Sequence, residues 1–142
     1  MFNSILTVCV GNICRSPAAQ LLLQHQLPAK QVSSGGLGAL AGRGMEAHAA
    51  RLVEAEGIDT SGHVARQLDQ QMTAASDLIL VMESWQIGAV CDIDASARGK
   101  TMMLGKWLDN REIPDPYRKS AEMFVQVHGL IVRACTGWTD RL

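Results

Sequence analysis

The 142-residue sequence lacks any apolar run long enough to cross a bilayer, and its N-terminus lacks a basic segment followed by an apolar core. Neither sign of charge is in excess, because 13 Lys and Arg residues stand against 14 Asp and Glu residues and leave a net charge of −1. This balance gives no electrostatic basis for binding nucleic acid or an anionic membrane. The composition therefore predicts a cytoplasmic protein that neither inserts into membranes nor binds nucleic acid.

Cysteine is scarce and unclustered in this chain. The four cysteines, at positions 9, 14, 91 and 135, have neither C-x2-C spacing nor a histidine at zinc-finger distance. Internal repeats, low-complexity tracts and an evident linker are also missing, and a chain of this length buries a core without disulfides or a metal. We therefore predict one domain spanning residues 1–142, with reduced thiols and no metal or cofactor.

Strand-like segments alternate with helical ones along the chain. Strand character is found around Val8, around Val32, from 78 to 82 and from 101 to 104. Helical patterns run from Ser16 to about 27, from 44 to 56, through the segment that contains Trp85 and Cys91, and from Ser120 towards the end. Alternation of this kind predicts an α/β domain whose small parallel sheet is covered by helices on both faces.

Details of the helices follow from their end signals and apolar spacing. Ser16 and Pro17 fit an N-cap and first helical residue, Gly57 fits a helix stop, and Ser120 fits the N-cap of the last helix. Trp85 and Cys91 are expected to pack in the core, and Trp107 beneath a loop from 105 to 111. The last helix should bury one apolar face, formed by Phe124, Val127, Leu130, Ile131, Ala134 and Trp138.

The segment from Cys9 to Ser16, with the sequence CVGNICRS, joins the first predicted strand to the first predicted helix. A tight loop in this position directs backbone N–H groups inward, and the positive end of the helix dipole adds to their attraction for an anion. Gly11 permits a close backbone approach, and Asn12 tolerates a positive φ. The segment therefore predicts a phosphate-binding loop.

Three side chains would make this loop reactive. A cysteine at a helix N-terminus beside an arginine is favoured as the thiolate, so Cys9 is a candidate nucleophile. Arg15 carries a planar guanidinium that can pair with two phosphate oxygens at once. The hydroxyl of Ser16 can donate to the sulfur and help it to leave in a second step.

A second segment, Ile-Pro-Asp-Pro-Tyr at positions 113 to 117, is by itself typical of a rigid turn. Taken with the first segment, however, it resembles the low-molecular-weight protein tyrosine phosphatases, which carry C-x5-R-[ST] at the N-terminus and Asp-Pro-Tyr late in the chain. The resemblance implies a four-stranded parallel sheet and a reaction without metal or cofactor. In that reaction Cys9 would be the nucleophile, Arg15 the phosphate clamp and Asp115 the general acid and base.

The resemblance also implies roles for residues around these three. Leu40, in the glycine-rich loop after Val32, and Tyr117 would form the walls of the cleft, while Ser34 and His63 would support the phosphate loop. Because many members carry an aromatic residue where this chain has Leu40, the bacterial subtype is indicated. Phosphate would be held by the remaining loop residues, Val10, Gly11, Asn12, Ile13, Cys14 and Ser16.

Members of the Gram-negative subtype commonly dephosphorylate an autophosphorylating membrane tyrosine kinase that controls capsule or exopolysaccharide export. The resemblance therefore implies a phosphotyrosine protein as partner and inorganic phosphate as product. Three alternatives stay open: a phosphatase of small esters, a phosphate-binding module without catalysis, and an arsenate reductase. The last needs two further cysteines close together, whereas Cys91 and Cys135 stand alone in the sequence.

Cys14 has two interpretations from the sequence. It is either a small apolar filler of the loop or a resolving thiol that forms a reversible disulfide with Cys9 under oxidation.

Overall fold

The computed structural model describes residues 2–142. The strands are β1 (Ser4–Cys9), β2 (Gln31–Gly36), β3 (Leu78–Val81) and β4 (Thr101–Met103). The α-helices are α1 (Arg15–Gln26), α2 (Ala47–Glu54), α3 (Gln70–Ala74), α4 (Trp85–Ile93) and α5 (Ala121–Thr139), and two 3-10 helices span Ala95–Lys100 and Leu104–Trp107. Over the described residues, no helix has the length and apolar character that a membrane crossing requires.

The four strands form one parallel sheet in the order β2-β1-β3-β4. Consecutive strand residues point to opposite faces, so Ile5 and Leu78 meet α1 and α5, whereas Leu6 and Ile79 meet α4. Both faces are therefore covered, which explains why the strands are apolar throughout rather than alternating. The predicted α/β fold with three layers is confirmed.

All four strands run the same way, so their carboxyl ends share one edge of the sheet. The segment 10–14 follows β1, the glycine-rich loop follows β2, Glu83 follows β3, and the segment that leads to Asp115 follows β4. Crevices at this edge are where open parallel sheets bind ligands. The topology therefore brings the two sequence segments together although about 100 residues separate them.

Several local predictions need correction. The second helix is shorter than 44–56, because the Glu46 side chain accepts from the backbone N–H of Ala49 and caps a helix that begins only at residue 47. Trp85 is 55% exposed rather than in the core, since it is the first residue of α4 and the apolar face of that helix lies further along. Trp107 is 42% exposed and ends a 3-10 helix, where it contacts the Trp138 ring edge-on at 5.7 Å.

The last helix is as predicted. Ser120 accepts a hydrogen bond from the backbone N–H of Met123 and caps α5. The six apolar residues expected on its inner face are all buried, and Cys135 is buried with them.

Candidate active site

Cys9 is the last residue of β1, and its sulfur faces a cavity of about 150 Å³. The Sγ atom lies 2.9 Å from the Ser16 hydroxyl and 3.4 Å from the Ser16 backbone nitrogen, which donates to it. Both donors come from the first turn of α1, where backbone N–H groups have no partner within the helix. The other residues that line the cavity are Val10, Gly11, Ile13, Cys14, Arg15, Gly38, Leu40, Asp115 and Tyr117.

The predicted N-cap was wrong in detail. The helix begins at Arg15, and Cys14 in the N-cap position makes no side-chain capping bond. Ser16 does not cap the helix because its hydroxyl is directed to the sulfur of Cys9. Within residues 2–142, the backbone N–H groups of residues 11 to 14 donate to no protein acceptor and are free to bind an anion.

Asn12 sets the direction of the hydrogen bonds that reach the sulfur. Its Oδ1 accepts from the backbone N–H of Arg66, so its Nδ2 must be the atom that donates to Ser16 Oγ at 2.8 Å and to Ser34 Oγ at 3.0 Å. The Ser16 oxygen therefore accepts from the amide and keeps its own proton for Cys9. The φ of Asn12 is 58°, which confirms the expected left-handed conformation.

His63 and Ser34 both contact Asn12 from outside the phosphate loop. His63 donates through Nε2 to the backbone oxygen of Asn12 at 2.7 Å, which fixes the proton of a neutral ring on that nitrogen. The Ser34 hydroxyl donates a hydrogen bond to Oε1 of Gln20 at 2.6 Å. Sequence reasoning missed Gln20, which belongs to no recognisable motif. Arg66, in contrast, lies with His63 in the segment from Ser61 to Leu68, which resembles the family segment that supports the phosphate loop.

Arg15 is only 1% exposed, so its charge needs partners within the protein. Its Nη1 donates to Oε2 of Glu83 and to the backbone oxygen of Ile113, each at 2.8 Å. Its Nη2 lies 3.7 Å from Oδ2 of Asp115. Glu83 was also missed, although an acidic residue at the carboxyl end of a strand is a signal that could have identified it.

The segment that carries Asp115 is anchored just before that residue. Ile113 is fully buried, and its backbone N–H donates to the oxygen of Met82. Two residues later the Asp115 side chain is 46% exposed, with Oδ1 accepting from the backbone N–H of Tyr117 and Oδ2 facing Arg15. A carboxyl group is thus fixed at the mouth of the cavity, opposite the sulfur at its base.

Leu40 and Tyr117 both line the cavity. The loop that holds Leu40 is joined to the phosphate loop by bonds from Leu37 to Cys9, from Gly38 to Val10 and from Leu40 to Gly11.

The close backbone approach expected at Gly11 occurs instead at Gly36. A Cβ at Gly36 would lie 2.5 Å from the Val10 oxygen, whereas one at Gly11 would meet nothing nearer than 3.8 Å. Val10, Asn12 and Ala39, in the loops that follow β1 and β2, leave no space for a side chain at Gly36. A glycine within a strand is the signal that was missed.

Cys14 lines the cavity and is buried among apolar residues, which include Ile13, Ala49, Ala65 and Phe124. Burial, followed by the nearby charge of Cys9, raises the pKa of the Cys14 thiol well above its ordinary value. A thiol that keeps its proton attacks an oxidised sulfur slowly. The packing is that of an apolar filler, and the resolving role of Cys14 stays a prediction.

Comparisons with a family model and with known proteins identify the same family. The family model described as low molecular weight phosphotyrosine protein phosphatase matches residues 4–142. The chain is 47% identical over 142 residues to the low molecular weight protein-tyrosine-phosphatase Wzb of Salmonella typhimurium, covering all of this chain and 95% of that protein.

Two solved structures place this similarity in three dimensions. Vibrio vulnificus Wzb in complex with benzylphosphonate has a TM-score of 0.97 at 42% identity, with complete coverage of both chains. The YwlE arginine phosphatase from Geobacillus stearothermophilus has a TM-score of 0.91 at 27% identity, covering 99% of this chain and 92% of that one. The chain therefore belongs to the low molecular weight phosphotyrosine protein phosphatase family, and it is a hydrolase.

Proposed function

We propose that this protein hydrolyses phosphotyrosine in proteins through a phosphocysteine formed on Cys9. One observation carries the proposal: Cys9, Arg15 and Asp115 line a single cavity, with the Ser16 hydroxyl 2.9 Å from the sulfur. A nucleophile, a fixed cation and a proton donor are the three groups that this chemistry requires.

In the first step, the thiolate of Cys9 attacks phosphorus in line with the bond to the tyrosine oxygen. As that bond breaks, the protonated carboxyl of Asp115 donates its proton to the departing oxygen, so that tyrosine leaves as a neutral phenol. The backbone N–H groups from Val10 to Arg15 and the Arg15 guanidinium hold the three remaining phosphate oxygens.

In the second step, water attacks the phosphorus of phosphocysteine, and the Asp115 carboxylate takes the proton of that water. The bond between sulfur and phosphorus breaks, and its electron pair returns to Cys9. The Ser16 hydroxyl stabilises the thiolate as it forms, because Asn12 keeps the hydroxyl proton directed at the sulfur. Inorganic phosphate is the product, and Ser34 and His63 act by holding Asn12 in place.

An aromatic substrate fits the side chains above the phosphate loop. Val10, Ile13, Leu40 and Tyr117 give the cavity an apolar lining. A phenyl ring gains from contact with such a surface, whereas a phosphorylated guanidinium would need acceptors for its remaining N–H groups. The benzyl group in the V. vulnificus Wzb complex also supports an aromatic substrate over phosphoarginine.

The physiological substrate that we propose is an autophosphorylating bacterial tyrosine kinase that controls exopolysaccharide or capsule export. The identity of 47% with a low molecular weight protein-tyrosine-phosphatase supports a phosphotyrosine protein as the substrate. We place the reaction in the cytoplasm, where the four free cysteines would stay reduced.

The test is steady-state hydrolysis of p-nitrophenyl phosphate between pH 4 and 9 by wild type, Cys9→Ser and Asp115→Asn. We expect wild type to turn over and Cys9→Ser to be inactive. Asp115→Asn should be slowed about 100- to 10,000-fold, and its rate should fall less than that of wild type as pH rises. Peptides that carry phosphotyrosine or phosphoarginine, compared at equal concentration, then define the substrate.

Each of the other possible results would indicate a different function for this protein. Binding of phosphate without turnover would identify a binding module. Turnover of p-nitrophenyl phosphate without hydrolysis of either peptide would identify a phosphatase of small esters. Preference for phosphoarginine would contradict the proposed substrate while leaving the phosphocysteine mechanism in place.

A further inference from the structure

Two exposed arginines flank Tyr117 at the mouth of the cavity. The Arg118 guanidinium carbon lies 5.2 Å from the centroid of the Tyr117 ring. Arg43 lies in the loop that follows Leu40, and the nearby guanidinium groups of Arg43 and then Arg118 lower the pKa of the Tyr117 hydroxyl. We call Arg43 and Arg118 the arginine rim.

The two members of the arginine rim come from segments that are separately fixed. The backbone N–H of Arg43 donates to the oxygen of Leu40, and its own oxygen accepts from Ala65. Arg118 has a φ of 62° and follows Tyr117, whose backbone is bonded to Asp115. The rim is therefore held at the opening, above the side chains that line the cavity.

The positive charges of the arginine rim form no ion pair within residues 2–142. Within residues 2–142, neither guanidinium has a carboxylate within 4.0 Å, whereas the buried Arg15 is matched by Glu83 and faces Asp115. The chain as a whole carries a net charge of −1, so this local excess of positive charge is not a general property of the surface. Exposed cations that lack an internal partner are available to an anion from outside.

The geometry indicates where that anion would lie. With phosphate on the loop and the substrate ring against Tyr117, the peptide leaves the cavity past the rim. Residues of an extended peptide are about 3.3 Å apart, so a side chain one or two positions from the phosphotyrosine passes within reach of a long arginine side chain. The ligand chemistry that fits two guanidinium groups is a carboxylate or a second phosphate.

We propose that the arginine rim selects phosphotyrosines that have a second anionic group one or two residues away. The inference rests on the proposed function, because it concerns which phosphotyrosines enter that site. The anion comes either from an acidic residue or from a neighbouring phosphotyrosine. Both pair with guanidinium groups, and peptides that differ only in this group distinguish the two sources.

The experiment compares kcat/KM for three peptides of equal length, in which the residues next to the phosphotyrosine are glutamine, glutamate or a second phosphotyrosine. We expect wild type to prefer each anionic peptide over the glutamine peptide by about two- to fivefold for each charge pair at low salt. The preference should shrink at 0.5 M salt because these pairs are exposed to solvent. The anionic peptide with the higher ratio identifies the source.

The variants are Arg43→Gln and Arg118→Asn, the latter because asparagine tolerates the positive φ at this position. In the double variant we expect the ratio of anionic to glutamine peptide to fall to about 1. The matched control is Arg98→Gln, which removes the same charge from the 3-10 helix before β4, at the opposite edge of the sheet. The control should keep the wild-type ratio.

Three outcomes would overturn the inference. Equal kcat/KM of wild type for all three peptides would show that the arginine rim does not select substrates, while leaving the proposed function intact. A double variant that is slower on all peptides by one common factor would mean that the arginines only position Tyr117. Failure of wild type to hydrolyse any of the three peptides would refute the proposed function itself, and the inference with it.

Discussion

Oε2 of Glu83 lies 2.8 Å from Nη1 of Arg15, and this contact joins the end of β3 to the first residue of α1. The same Nη1 also donates to the oxygen of Ile113, two residues before Asp115. With Nη1 occupied on both sides, the guanidinium plane is fixed and Nη2 faces the cavity and Asp115. Glu83 therefore orients Arg15, the phosphate clamp that we propose, without lining the cavity.

Replacement of Glu83 should misalign Arg15. For Glu83→Gln we expect kcat/KM to fall by about 10- to 100-fold and the inhibition constant of inorganic phosphate to rise, because the buried guanidinium loses its charged partner. Glu83→Asp, which keeps the charge, should recover part of the loss. The control is Glu112→Gln, which alters the same turn through Ser84 without contacting Arg15. Equal kinetics for Glu83→Gln and the control would contradict this role.

Asn12 orients the Ser16 hydroxyl and also adopts a left-handed backbone conformation, and two variants distinguish these roles. Asn12→Gly and Asn12→Ala both lose the amide that orients Ser16, so both should lose activity. Glycine adopts a φ of 58° freely and alanine does not, so the alanine variant should be less stable to urea by about 1 kcal/mol. If the two variants unfold at the same urea concentration, the left-handed conformation does not contribute to stability.

Gly36 should tolerate no side chain. In Gly36→Ala the new methyl group would lie 2.5 Å from the Val10 oxygen and 3.0 Å from the Asn12 Cβ, which should cost about 1–3 kcal/mol of stability and displace the phosphate loop. Gly129→Ala, on the exposed side of α5 with nothing within 4 Å of the added group, should instead stabilise the protein by about 0.5–1 kcal/mol. Thermal unfolding and kcat/KM of the two variants check the pair, and unchanged activity in Gly36→Ala would contradict the expectation.

Asp94 links stability to pH. Asp94 is 3% exposed as a residue, and hydrogen bonds from the Ser96 and Thr73 hydroxyls lower the pKa of its carboxylate. The folded state favours the charged form, so its contribution is complete above the ordinary pKa of about 4 and is lost as pH falls through the lower folded value. The difference in free energy of unfolding between wild type and Asp94→Asn should therefore be largest at pH 7 and smaller at pH 3.

Urea unfolding at pH 7, 5 and 3 measures this difference. Asp92→Asn, on the exposed side of α4, removes the same charge without these hydrogen bonds and serves as the control. A difference for Asp94→Asn that grows towards low pH would show the opposite linkage.

Most of the fold was predictable because it follows from local patterns. The apolar runs around Val8 and from 78 to 82 became β1 and β3, and the spacing of apolar residues after Ser120 gave the buried face of α5. Errors occurred where tertiary contacts override a local signal. Serine is a common N-cap residue, yet the Ser16 hydroxyl binds Cys9. Trp85 is apolar, yet it is exposed at the first residue of α4.

The sequence by itself determined the order of the elements and the residues that we propose for the chemistry. Cys9, Arg15 and Asp115 were identifiable because the chain carries them in two short segments with recognisable composition. Only the tertiary structure decided several contacts that hold them in place: Glu83 on Arg15, Gln20 beside the Asn12 network, and Gly36 against the phosphate loop. The physical reason is that a strand or a helix is encoded within about ten residues, whereas the partners of a buried polar group are brought to it by the parallel sheet from anywhere in the chain.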